Sequence, residues 1–189
     1  MPNVVLIGGP NGAGKTTAAK LLLRDALEVD FFVNADIIAQ GLSGLNPSEA
    51  NFEAGMVMIR RLIELADRGV DFAFETTLSS RNFATRIVEW KAKGYVFHLV
   101  YLWLPSAEHA IQRVKDRVRR GGHDVPDEDV RRRYLGGLRN LFSLYRPLAD
   151  TWRFFDSSSP VGPRLVAFGT ADTQGIFDYD LWDAILKNA

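Results

Sequence analysis

Short apolar runs alternate with longer stretches in which apolar residues recur every three or four positions. Val4-Val5-Leu6-Ile7 is a run that stops at glycines, the pattern of a buried strand. Thr16 to Leu27 has helical spacing, and Phe31-Phe32-Val33 reads as a second strand ending at Asn34-Ala35-Asp36. Gly41 to Asn46 reads as loop. Pro47-Ser48-Glu49 reads as a helix start, with the helix running to Arg68 and Gly69 as its stop. Phe72-Ala73-Phe74 is a third strand, ending at Glu75-Thr76-Thr77. Asn82 to Lys93 is a helix closed by Gly94, and Tyr95 to Leu104 is a fourth strand, the longest apolar run and expected to be central.

The second half continues the alternation. Ala107 to Val118 is helical and breaks at Gly121-Gly122, with Val125-Pro126 extending the break. Asp127 to Tyr145 is helical again, with Pro147 as its stop. Trp152 to Phe155 is a fifth strand. From Arg164 onward come two short strands with a turn near Asp172-Thr173, then a helix around Tyr179 to Lys187.

Strands alternating with helices predict an α/β fold: a mainly parallel sheet covered by helices on both faces. Residues 1–189 read as one domain, since no linker or repeat divides them. Ligands of such sheets bind at the carboxyl ends of the strands, so Gly9 onward, Asp36 and Glu75 should share one rim.

Composition narrows the classes. Hydrophobic residues make up 47% and charged residues 24%, and the formal net charge is zero, which disfavours global, non-specific nucleic-acid binding. Cysteine is absent, so disulfides, zinc–thiolate sites and thiol catalysis are excluded. No apolar run reaches membrane-span length and no secretory signal pattern opens the chain, so a cytoplasmic location is expected. Arg113, Lys115, Arg117, Arg119, Arg120, Arg131, Arg132 and Arg133 are clustered around the Gly121-Gly122 break. Guanidinium groups grip phosphate bidentately, and the segment from about 117 to 133 reads as an arginine-rich lid.

The chemistry begins at Gly9-Pro10-Asn11-Gly12-Ala13-Gly14-Lys15-Thr16, followed by Thr17. It matches G-x-x-x-x-G-K-[ST], the Walker A or P-loop pattern, between a strand and a helix. Its backbone N–H groups and the helix N-terminus suit phosphate; Lys15 would reach the β- and γ-phosphates, and Thr16 would ligate Mg²⁺. ATP and Mg²⁺ are therefore the expected ligands. The sequence contains no Asn-Lys-x-Asp and no Leu-Ser-Gly-Gly-Gln, and no Asp-Glu pair follows the fourth strand. Those absences argue against a GTP switch, a transporter ATPase and a standard Walker B acid, and favour a nucleotide-kinase-type phosphotransferase.

Asp36 is the candidate base; its alternative reading is an N-cap of the following helix. Glu75 could bind acceptor hydroxyls or order a magnesium-bound water. Thr76, Thr77 and Arg81 are further substrate-contact candidates. Arg117 and Arg120 would flank the phosphates, one as an arginine finger and one on adenine. Arg132 and Arg133 cannot both face the site, because neighbours on a helix differ by about 100°. His123 reads as a hydrogen bonder that fixes its loop.

Taken together, Gly9–Thr17 with Asn11, Asn34-Ala35-Asp36, Phe74-Glu75-Thr76-Thr77-Leu78-Ser79-Ser80, Arg117–Arg120, Gly121-Gly122-His123-x-Val125-Pro126 and Arg132-Arg133-Tyr134 resemble the zeta-toxin-like P-loop kinases over nearly the whole chain. That resemblance implies ATP-dependent phosphorylation of a small-molecule hydroxyl. In well-known toxin members the acceptor is UDP-N-acetylglucosamine, and the partner is an antitoxin protein. It maps the catalytic aspartate onto Asp36, the P-loop lysine onto Lys15 and the lid arginines onto the 117–133 region. The alternative from another class is a regulatory switch that binds or hydrolyses ATP with no acceptor. A deep acceptor pocket beside Asp36 would favour the kinase, and a flat apolar surface near the lid would favour the switch.

Overall fold

A computed structural model describes residues 1–19, 29–43 and 49–187. Seven strands form one sheet: β1 (Asn3–Gly8), β2 (Phe31–Val33), β3 (Phe72–Thr76), β4 (Val96–Trp103), β5 (Thr151–Asp156), β6 (Arg164–Thr170) and β7 (Gln174–Ile176). Their order is β2-β3-β1-β4-β5-β6-β7, with β4 in the middle as its long apolar run predicts. The first five are parallel, and β6 and β7 add an antiparallel edge. The expected mainly parallel α/β architecture is the one observed.

Side-chain alternation explains the two layers. Val4 and Leu6 of β1 point to one face, where they join Phe72, Phe74, Leu99 and Tyr101 under the helices Asn51–Asp67 and Asn82–Ala92. Val5 and Ile7 point to the other face, with Ala73, Val100 and Leu102 against Ala110, Ile111 and Val114 of the Ala107–Arg119 helix. Both faces are therefore covered, so β1 reads as continuously apolar. Burying each large side chain of this kind is worth about 1.5–3 kcal/mol.

Several boundaries differ from the sequence expectation. Ala35–Leu42 is a helix, so Gly41 and Leu42 are helical and not loop. The long helix begins at Asn51; its expected start at Pro47-Ser48 lies outside the described residues. The expected Thr16–Leu27 helix is present over 15–19, and its remainder also lies outside them. Asp127–Asn140 is α-helical, but Leu141–Tyr145 widens into a π turn and Arg146–Leu148 resumes the helix past Pro147. The wider turn places Tyr145, whose hydroxyl donates to Ser80 O at 2.5 Å. Asn140 reaches the same loop, donating to Leu78 O and Ser79 O. These bonds hold Leu78 at φ 60, a conformation costing a branched side chain about 1–3 kcal/mol. Among the described residues no helix is long and apolar enough to cross a membrane.

At the amino ends of the strands His98 bridges three elements. Its Nδ1 lies 2.8 Å from Thr151 Oγ1 and its Nε2 3.0 Å from Asn3 Oδ1. Asn3 donates through both its backbone and its side chain to Asp71. Burial holds the His98 pKa below its ordinary value, against the opposing pull of Asp150 and Asp71. The folded state therefore prefers the neutral ring. Its stabilising effect is complete above the unfolded pKa, about 6.5, and is lost as pH falls from there through the lower folded pKa. Urea midpoints measured across this range should fall with acidification, and His98→Gln should flatten that part of the profile.

Candidate functional site

Parallel register brings the chemistry together. Ile7 of β1 lies opposite Glu75 of β3, and Gly8 opposite Thr76. Val33 of β2 lies opposite Phe74, so Asn34 follows beside Glu75. The loop after β1 then turns tightly. Gly9 has φ 146, and a Cβ there would collide with Leu102 O; Gly12 has φ 79 and packs against the Ala107–Arg119 helix at Arg113 and Ala110. Side chains larger than hydrogen do not fit at either position. The Ser157 hydroxyl, beyond the end of β5, donates to Ala13 O at 2.7 Å and pins the loop from the opposite side.

Lys15 lies across this loop. Its Nζ donates to Gly9 O and Pro10 O, both at 3.0 Å. Burial is the largest influence on its pKa and lowers it; Glu75 and Asp36 pull it up, and Arg117 and Arg133 push it down. The Thr16 hydroxyl lies 3.0 and 3.1 Å from the two Glu75 carboxylate oxygens and receives a bond from Asn34 Nδ2 at 3.3 Å. Burial raises the Glu75 pKa, and the Lys15 charge opposes that rise. Thr16 and Glu75 are hard oxygen donors at the mouth of a phosphate loop, a set that suits Mg²⁺ shared with phosphates.

Two clefts meet at these residues. The larger, about 820 Å³, runs along Asn11–Ala18 between the Ala107–Arg119 helix and the segment that follows β5. Arg113, Asp116, Arg117 and Arg120 face it. Their spacing of three, four and seven residues makes one helical stripe. Arg117 donates to His123 O at 2.6 Å, yet its buried Nε has no hydrogen-bond partner among the described residues. An unsatisfied guanidinium N–H beside a phosphate loop fits an anion. The smaller cleft, about 260 Å³, shares Asn11, Lys15, Asp36 and Glu75 with the first. Its other walls include Asn34, Thr76, Thr77, Ser80, Asn82 and Arg133.

A family model described as an AAA domain (AAA_33) matches residues 4–135, from β1 through the phosphate loop, the whole lining of the smaller cleft and the 117–133 arginines; the 157–163 wall of the larger cleft lies beyond the match. The chain belongs to this AAA-domain family. An uncharacterized protein of Haemophilus influenzae (strain ATCC 51907 / DSM 11121 / KW20 / Rd) is 31% identical to this AAA_33 chain over 126 residues, 67% of the chain and 88% of that protein. Among solved structures, a chain of the AvrRxo1-ORF1:-ORF2 complex with ATP superposes with a TM-score of 0.79 at 17% identity, covering 98% of this chain and 63% of that one. This AAA_33 chain thus spans less than two thirds of that neighbour's length. A chain of the PezAT toxin–antitoxin system of Streptococcus pneumoniae gives 0.64 at 15% identity, covering 100% and 86%. Shikimate kinase from Acinetobacter baumannii in complex with shikimate gives 0.50 at 23% identity, covering 100% and 94%. The fold is thus that of nucleotide-kinase-like P-loop proteins.

The predicted residues of the AAA_33 chain separate as follows. Asn11, Gly12, Ala13, Gly14, Lys15, Thr16 and Thr17 line the larger cleft, whereas Gly9 and Pro10 contribute the carbonyls that hold Lys15. Asp36 faces both clefts and is not the N-cap: Asn34 caps the Ala35–Leu42 helix by accepting from Ile37 N at 3.1 Å. Arg117 and Arg120 reach the larger cleft. Arg133 enters the smaller one, while Arg132 is exposed and bonded to Asp129. Arg81 is exposed and is not part of either wall, because the chain turns into the Asn82–Ala92 helix there; Ser80 and Asn82 line the cleft instead. The bond expected of His123 comes from its backbone carbonyl. Sequence reasoning did not single out Arg113, Asn34 or Ser157 as site residues. The Ser157-Ser158-Ser159 run directly after a parallel strand was the available signal for the last.

The buried Lys15 ammonium lacks a full countercharge, so bound phosphates should supply it. Lys15→Ala is expected to weaken nucleotide binding about 100-fold, as for loss of charge-assisted hydrogen bonds in a buried site. Titration calorimetry checks this.

Proposed function

We propose that the protein is an ATP-dependent phosphotransferase acting on a hydroxyl of a small molecule. The observation that carries this reading is the second cleft beside Asp36: about 260 Å³, polar on one side, and continuous with the phosphate loop through Lys15, Asp36 and Glu75. A switch protein has no need of such a cleft. The ATP and shikimate named for two structural neighbours are consistent with a nucleotide in the larger cleft and an acceptor in the smaller.

The roles follow from position. The P-loop N–H groups and Lys15 hold the β- and γ-phosphates. Thr16 would hold Mg²⁺ directly, with Glu75 and Asp36 acting through its water; the ion would neutralise charge shared between the phosphates. Arg117, whose Nε has no partner among the described residues, would stabilise charge on the equatorial γ-oxygens, and Arg120 would lie along the nucleotide in the larger cleft. Asp36 is exposed to both clefts and accepts the proton from the attacking hydroxyl. Its carboxylate has no capping duty to distract it, because Asn34 performs that task. Thr76, Thr77 and Arg133 contact the acceptor. Closure of the 117–133 lid over the phosphates would exclude water. A UDP-N-acetyl amino sugar is the acceptor implied by the zeta-toxin resemblance, and an antitoxin protein the implied partner.

Asp36→Asn keeps the shape of the side chain and removes its basicity. It should leave ATP binding intact and lower phosphotransfer by about 10²–10⁴-fold. Calorimetry and an ADP-release assay with acceptor present separate the two effects. Transfer at the parent rate would remove Asp36 from the mechanism.

A further inference from the structure

Gly55 stands inside the Asn51–Asp67 helix, where glycine costs about 1 kcal/mol relative to alanine. Crowding does not demand it, since a Cβ built there meets no heavy atom of the described residues within 4 Å. Backbone geometry does not demand it either, because it is not among the positive-φ glycines. Gly55 is half-buried and lines the smaller cleft together with Met58 and Ile59, three and four residues further along the same helix face. The missing side chain therefore leaves room inside the cleft.

The opposite wall is built for hydroxyl groups. Thr76, Thr77, Ser80 and Asn82 supply neutral donors and acceptors, while Met58, Ile59 and Phe83 supply apolar surface for a carbon skeleton. Charge is sparse and balanced in sign, two carboxylates against two cations. Asp36 and Glu75 are the carboxylates of the lining; Lys15 is tied to the phosphate loop, which leaves Arg133, among the described residues, as the cation toward an acceptor. Asp129, 3.7 Å from Arg133, already offsets part of that charge. One partly neutralised guanidinium suits a single anionic group better than the diphosphate of the UDP-sugar that the zeta-toxin resemblance implies.

We propose that Gly55 and Arg133 determine the acceptor, and that the cleft takes a compact polyhydroxylated molecule bearing a single anionic group, a carboxylate or a phosphate monoester. Its skeleton fills the space at Gly55, its hydroxyls bond to the Thr76–Asn82 wall, and its anion pairs with Arg133. The inference rests on the phosphotransferase reading. In the transfer, the acceptor oxygen bonds to the γ-phosphorus as the bond to the β–γ bridging oxygen breaks. ADP leaves with that electron pair, and the hydroxyl proton passes to Asp36.

The test incubates the full chain and ATP–Mg²⁺ with four separate additions: a mixture of sugar acids, a mixture of sugar monophosphates, glucose, and UDP-N-acetylglucosamine. ADP release and phosphorylated products are both measured. A product is expected in one of the two anionic mixtures, and which of them responds identifies the anion. For that acceptor, Gly55→Leu should lower kcat/KM at least about 100-fold while the melting temperature holds or rises by about 2–4 °C, since leucine is the better helix former. Gly55→Ala should give the same rise with a smaller loss. Arg133→Gln should raise KM about 10–100-fold with little change in kcat, the scale of one charge-assisted hydrogen bond. Labelling of glucose or UDP-N-acetylglucosamine instead, labelling of no addition despite ADP release, or parent-level transfer by Gly55→Leu, would overturn the proposal. If ATP binds but no ADP forms with any addition, the phosphotransferase reading itself fails.

Discussion

The site depends on the contact between Glu75 and Thr16. It joins the carboxyl end of β3 to the start of the P-loop helix, and it exists because β1 and β3 pair in parallel with Ile7 opposite Glu75. A carboxylate at that depth raises its own pKa by desolvation, so it needs partners. Thr16 and Asn34 bond to one another and to it, and Lys15 supplies opposite charge. Lys15 is in turn buried at a cost that Glu75 and Asp36 partly offset. A one-residue slip of β3 would turn Glu75 to the other face of the sheet and dismantle all of these contacts at once.

The two clefts follow from this junction. Helices on one face of the sheet carry the nucleotide side, where a single stripe from Arg113 to Arg120 faces the phosphate loop. On the other face the Asn51–Asp67 helix lies opposite the loop after β3 and walls the smaller cleft. That loop is held in shape from a distance: Asn140, just before the π turn, and Tyr145, its last residue, bond to Leu78, Ser79 and Ser80. Strain at Leu78 is thus maintained by a helix that also presents Arg133 to the same cleft.

How much the sequence revealed depended on whether the information was local. The P-loop is consecutive residues with a fixed backbone role, so it was fully legible. Asp36 and Glu75 were legible as polar residues placed just where apolar runs stop. Asp36 as a helix cap was an open alternative, and Asn34, two residues earlier, settles it by taking that bond. Helical phase could say that Arg132 and Arg133 diverge but not which turns inward, because that depends on how the helix docks. Ala35–Leu42 was hidden by its length and its Gly41. The π turn was hidden because it answers to distant carbonyls. Gly55 was invisible for a related reason: empty space beside a residue belongs to the packed structure.

Mass spectrometry of a small-metabolite extract incubated with the protein and γ-labelled ATP–Mg²⁺ tests the central claim most directly. The account predicts that a hydroxyl-bearing metabolite gains the labelled phosphoryl group with the parent protein and fails to gain it with Asp36→Asn. Release of the label solely as inorganic phosphate, at equal rates from both proteins, would contradict it.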